Sequence, residues 1–179
     1  MALFMQQGGT QYIDSFGLVR SGSDVQGETP IVRFERLVGD LPAQQDNAMV
    51  SWSLKGETDT VGRHWLHVGI RACPVLVCQR CMQPFVYQVQ AENTLQVMKS
   101  EAELDALEAR EEDEDEVTER IVGTQRMDVL ALVEDELILA LPYVPKHEVC
   151  PSLPEALADS GSDDARPSPF AVLGKLKKD

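Results

Sequence analysis

The stretch CQRC places Cys78 and Cys81 three residues apart, between ACPVLV and MQPFVYQV. Thiols at this spacing can hold a metal, run redox chemistry or sit idle in a turn, and the surroundings decide among the three. Both flanks read as strands, so CQRC falls at a hairpin tip, between a strand ending near Val77 and one starting near Phe85. A tight turn brings the two sulfurs to one side, as in a zinc knuckle. Redox CxxC pairs instead sit where a strand enters a helix, whose N-terminus lowers the thiol pKa. Pro84 and the strand after it supply no such helix.

A structural zinc site takes four ligands. The stretch HEVC offers a second pair at the same offset, His147 and Cys150. It follows LPYVP, where Pro142 and Pro145 end a helix and stiffen its exit. Cys78, Cys81, His147 and Cys150 together would form a Cys3His set for one structural zinc. The long gap between the pairs keeps a second reading open, with His147 a loop residue at the surface and Cys150 a small buried hydrophobe. His64 and His67 look like a metal pair, but on a strand they point to opposite faces. Cys73, between Ala72 and Pro74, reads as core or near-core. No Ser/His/Asp grouping or HExxH appears. The glycines of Gly8-Gly9 and Ser21-Gly22-Ser23 lack the strand and helix of a phosphate loop. No catalytic residue is indicated, and the chain reads as a non-enzyme.

The elements that must position these residues follow from periodicity. Ala48, Val50, Trp52 and Leu54 alternate with polar positions, as do His64, Leu66, Val68, Ile70, Ala72 and Leu76. After CQRC, Phe85, Tyr87, Val89, Ala91, Leu95 and Val97 all fall on odd positions. Three such strands with short links predict an antiparallel meander, and IVRFERL at 31–37 is expected to add a strand. The best helix is MDVLALVEDELILALP, residues 127–142, with Asp128 as its cap and Pro142 as its stop. Leu130, Val133, Leu137 and Leu141 form its buried stripe, while Glu134, Asp135 and Glu136 read as a solvated face. The expected fold is α+β: an antiparallel sheet, an open meander or a barrel-like one, with this one main helix packed against it.

A chain of 179 residues suits a single domain over 1–179, with an acidic segment at 99–118 and a tail at 151–179, both read as flexible. The formal charge is −14, and residues 101–120 alone carry eleven acids against two bases. Such a run is a solvated surface or a landing site for a basic partner. The N-terminus shows no secretory signal, and the apolar run Leu137–Leu141 is too short to cross a bilayer. A cytoplasmic protein is expected, without membrane attachment and with its cysteines unpaired.

The combination of CQRCMQPF, MDVLALVEDELILALPYVPKHEVC and the terminal PSPFAVLGKLKKD resembles the YceD family, the large ribosomal RNA subunit accumulation proteins of bacteria and plastids. The likeness covers the second half of the chain and the strands before it. It implies a role in the synthesis, processing or stability of large-subunit rRNA, with no catalytic residues to carry over. Some members look richer in cysteine after the helix, where this chain has His147 and Cys150. Phosphate contacts come from Lys and Arg, and here 16 of those stand against 30 acids. The implied role therefore fits best through a basic ribosomal protein or a large-subunit precursor particle. Direct contact with precursor rRNA, through Arg71, Arg80, Lys175, Lys177 and Lys178, is the alternative.

Overall fold

The structure, a computed structural model, describes residues 11–108 and 118–151. The chain divides into two compact units, Met1–His147 and Glu148–Asp179. All the regular elements among the described residues lie in the first; of the second, residues 148–151 are described.

In chain order the elements are β1 (Tyr12–Ile13), α1 (Ser15–Ser21), β2 (Asp24–Pro30), α2 (Glu35–Gly39), β3 (Met49–Thr58), β4 (His64–Ala72) and β5 (Val75–Val77). They continue as β6 (Pro84–Val86), β7 (Val89–Met98), α3 (Glu101–Glu108), β8 (Arg120–Val122), β9 (Met127–Asp128) and α4 (Val129–Leu139). The fold is α+β. A five-stranded sheet runs in the order β2-β3-β4-β7-β8, antiparallel except for the β7–β8 pair, which is parallel. Among the described residues no barrel closes, because β2 and β8 remain as separate edges.

The alternation read from the sequence becomes the inner face. Trp52 stands beside Ile70, and Ile70 beside Ala91, while Leu66 lies opposite Leu95. Burial of apolar side chains is the main force holding the fold, at about 25 cal/mol per Å² removed from water. Here that area comes from Val50, Leu54, Leu66 and Val68 on the sheet, from Leu18, Val19, Leu37, Val129, Val133 and Leu137 on α1, α2 and α4, and from Phe34 just before α2. The opposite face shows the polar half of the alternation, with Ser53, Lys55, Arg71, Glu92 and Thr94 exposed. Helix α1 crosses β3 so closely that a Cβ at Gly56 would lie 2.4 Å from the Leu18 carbonyl oxygen. Only glycine fits there.

Several expectations are corrected. IVRFERL is not a strand: Ile31–Arg33 form a 3₁₀ turn and α2 follows, the strand having ended at Pro30. Its buried residues Ile31, Phe34 and Leu37 recur every third position, a helical spacing rather than alternation. Residues 101–108 of the acidic segment form α3, whereas 109–117 lie outside the described residues, as do tail residues 152–179. Cys73 is exposed rather than core, because Ala72, Pro74 and Leu76 take the inward positions around it. Helix α4 starts where expected, the Asp128 carboxylate accepting from the N–H groups of Leu130 and Ala131.

The acids in the middle of α4 are not merely a solvated face. Glu134 is buried, and its Oε1 accepts from the backbone N–H of Arg36 at 2.8 Å and of Leu37 at 3.2 Å. Its Oε2 accepts from Arg36 Nε at 2.9 Å, while Asp135 takes the other side of the guanidinium at 2.6 Å. A side chain of α4 thus satisfies the free amides at the start of α2, which are left unbonded by any short helix. Glu136 accepts from Asn93 on β7 at 3.0 Å. Through these bonds α4 is fixed to both α2 and the sheet, which sets where its C-terminal exit emerges.

Candidate metal centre

That exit meets a small hairpin. Strands β5 and β6 pair antiparallel, with Val75 opposite Val86, Leu76 opposite Phe85 and Val77 opposite Pro84. Leu76 and Pro74 are buried, which anchors the hairpin in the protein. The Gln44 amide also clasps Val75, accepting from its N–H at 2.8 Å and donating to its carbonyl at 3.1 Å. CQRC sits at the tip, as expected. The turn closes through Cys78 N–H to the Gln83 carbonyl at 3.0 Å and Met82 N–H to the Cys78 carbonyl at 2.8 Å. Met82 takes the left-handed conformation, with φ 59°, which turns the chain back toward β6.

After α4, Pro142 and Pro145 deny the chain further helix, and the segment 143–147 runs along the hairpin tip. Backbone and side-chain bonds fasten the two. Gln79 N–H donates to the Pro145 carbonyl at 2.9 Å, Gln79 Nε2 to the Tyr143 carbonyl at 3.4 Å, and Arg80 to the His147 carbonyl at 3.1 Å. The His147 ring packs on Phe85, with centroids 4.6 Å apart. Sequence spacing could not reveal this clasp, which joins residues more than sixty positions apart. The two pairs at equal offset, CQRC and HEVC, were its visible trace.

The clasp brings the expected ligands together. His147 Nδ1 lies 3.4 Å from Cys81 Sγ, and the His147 amide donates to Cys78 Sγ at 3.4 Å. Together with Cys150, the ligand atoms of all four residues lie within 4.8 Å of one another. A tetrahedral zinc with bonds of ~2.3 Å to sulfur and ~2.0 Å to nitrogen requires sulfur–nitrogen edges of about 3.6 Å and sulfur–sulfur edges of about 3.8 Å. With every separation at or below 4.8 Å, the observed group lies within about 1.2 Å of those edges.

The electrostatics agree with the geometry. Burial alone would push the Cys78 thiol up. The backbone N–H groups of His147, Cys81 and Arg80, aimed at its sulfur, outweigh burial and bring the thiol from an ordinary 9.0 down to about 5. A sulfur held as thiolate at neutral pH is ready to ligate a cation. Three sulfurs and one imidazole are the donor set of structural zinc, and this group could hold one such ion. His64 and His67 stand apart from it: His64 contacts Thr58, and His67 pairs with Glu57 at 2.9 Å. Among the described residues, no helix is long and apolar enough to cross a membrane.

Fold and site define an α+β protein with a Cys/His clasp joining a hairpin tip to a helix exit. The chain belongs to the YceD family, described as the large ribosomal RNA subunit accumulation proteins, whose profile matches residues 66–177. It is 35% identical over 116 residues to the large ribosomal RNA subunit accumulation protein YceD of Haemophilus influenzae (strain ATCC 51907 / DSM 11121 / KW20 / Rd). That match takes in 58% of this chain and 59% of the relative's length. No solved structure matches. The matched interval contains CQRC, α4 and HEVC, so the whole clasp lies inside it.

Proposed function

We propose that this protein promotes the accumulation of large-subunit rRNA as a non-catalytic factor that binds a basic ribosomal protein or a precursor particle. The observation that carries this reading is the family match over residues 66–177, which spans the clasp and the helix that positions it. Charge favours a basic protein partner: the formal balance is −14, and α3 alone brings Glu101, Glu103, Asp105 and Glu108 onto eight residues. In this reading Cys78, Cys81, His147 and Cys150 hold one zinc. Four protein donors leave no open coordination position, so the ion would supply cross-linking rather than Lewis-acid chemistry. The protein's own residues do the rest, α4 and the hairpin presenting a rigid surface beside the clasp.

The reading is tested in cells lacking the resident relative. Expressing this chain should restore the ratio of large- to small-subunit rRNA, and the purified chain should retain proteins or particles from large-subunit precursors at moderate salt. A chain that restores nothing and retains neither overturns the proposal.

A further inference from the structure

The two segments of the clasp have an unusual surface for this protein. Residues 79–83 and 138–147 contain Arg80 and Lys146 and no acid, in a chain with 30 acids against 16 bases, and the exposed Glu148 follows directly. Tyr143, three residues before Lys146, is 96% exposed. Its neighbour Val144 and, across the clasp, Met82 are exposed as well. An aromatic ring in water normally signals mobility, but here the backbone is fastened at Tyr143 itself and at the residues after it. The Tyr143 and Pro145 carbonyls both accept bonds from Gln79, and the His147 carbonyl from Arg80. The ring is therefore held out on a fixed platform. Ordering it again on binding costs little backbone entropy.

An exposed aromatic on a fastened backbone, with Arg80 and Lys146 exposed on the same two segments, is an arrangement that takes a single-stranded nucleic acid. Bases stack on the ring and phosphates meet the cations. We infer that the clasp surface formed by Arg80, Tyr143 and Lys146 is a contact site for single-stranded RNA, with one base stacked on Tyr143. The inference rests on the rRNA reading proposed above and adds to it a direct contact that the acidic bulk of the chain does not provide. A fully ligated Cys3His zinc carries one negative charge, which offsets one of the two cations, so the contact is expected to be weak by itself. Its place would be to engage an rRNA strand already brought close by the protein partner.

The test uses the full chain and fluorescently labelled twelve-nucleotide oligouridine and oligoadenine RNAs, with anisotropy read from low to moderate salt. Both oligomers are expected to bind, because stacking tolerates sequence. Tyr143→Ala should weaken binding about tenfold and Tyr143→Phe should restore it, as expected for a stack worth about 1–3 kcal/mol. Lys146→Gln should lower the slope of log affinity against log salt by about 0.7, one phosphate's share on a single strand. Circular dichroism of each variant should match wild type, since both side chains are exposed. Absence of binding by the wild-type chain at low salt overturns the inference. So does binding that neither variant alters. Loss of ribosomal-protein capture by Tyr143→Ala with RNA binding intact also overturns it, in favour of a protein-docking surface. Restored rRNA levels in cells without any RNA binding in vitro would leave the proposed function standing and remove this contact alone.

Discussion

Truncation of Glu134 should destabilise the protein far more than truncation of the acid next to it. The Glu134 side chain is 11% exposed and its carboxylate accepts three bonds, two from backbone amides at the start of α2 and one from Arg36 Nε. Hydrogen bonds to a charged acceptor contribute about 1.5–3 kcal/mol each, but three on one group do not add. The Arg36 side chain is 54% exposed and regains water when its partner goes. The two amides do not, because the side chain that filled their site has been removed without a replacement acceptor. We therefore expect Glu134→Ala to cost about 3 kcal/mol, below the full penalty for breaking a completely buried pair. Glu134→Gln keeps an oxygen for the amides and loses only the ionic part, and should fall at about 1–2 kcal/mol. Asp135→Ala removes a single bond between two half-exposed groups and should cost less than about 1 kcal/mol. Urea titrations at neutral pH read these as midpoint shifts at constant slope. If Glu134→Ala lies within about 0.5 kcal/mol of wild type, or matches Asp135→Ala, Glu134 does not anchor α2.

Protein purified without chelator or metal-affinity resin should carry one zinc per chain; Cys78→Ser and Cys150→Ser should lose it, whereas Cys73→Ser, at an exposed cysteine, should keep it. Chelation should raise amide exchange in residues 79–82 and 143–147 together while the sheet stays protected, and zinc-free protein with an unchanged Cys78→Ser would establish the free-thiol reading instead. Asp59 tests a pH dependence: part burial pushes its carboxyl up, but donors from Arg63, Trp65 and Val61 hold it well below the ordinary 3.8. A depressed carboxyl stabilises the fold above its unfolded pKa and loses that contribution as pH falls through the folded one. Asp59→Asn should accordingly lower the melting temperature at pH 7, with the gap to wild type closing as pH drops below about 4; a constant gap would refute the assignment. Gly56→Ala should destabilise by about 1–3 kcal/mol, since the added carbon meets the Leu18 backbone, which cannot rotate away, and a normal melting temperature would show that α1 can shift aside.

What the sequence revealed, and what it concealed, divides by range. Strands β3, β4 and β7 were legible because one face is buried and the other wet, which writes a two-residue period into the chain. The hairpin around CQRC was legible for a related reason, since Pro84 and the β-rich flanks exclude a helix beside the thiols. Asp128 announced α4 because a cap bonds to amides two and three residues on. Glu134 gave no such notice. Its partners lie 97 and 98 positions away, so an ionised side chain inside an acidic triplet looked solvated when it was in fact a remote cap for α2. Cys73 failed through phase: the strand ends at Ala72 and Pro74 takes the next inward position.

The site shows both kinds of information at once. Each pair, Cys78 with Cys81 and His147 with Cys150, was visible from its own three-residue offset. Their meeting depends on where α4 ends, and α4 is set by Glu134 on α2 and Glu136 on Asn93. The candidate ligand His147 is then oriented by Phe85 and by the Arg80 bond to its carbonyl. Local spacing thus specified the donors, whereas long-range packing of an acidic helix specified that they share one centre. On this argument a variant that loosens α4 without touching any ligand should weaken metal retention. Glu134→Ala should release zinc to a chelator faster than wild type, and Asp135→Ala should not. Equal release rates would mean that the clasp holds itself together through its own backbone bonds.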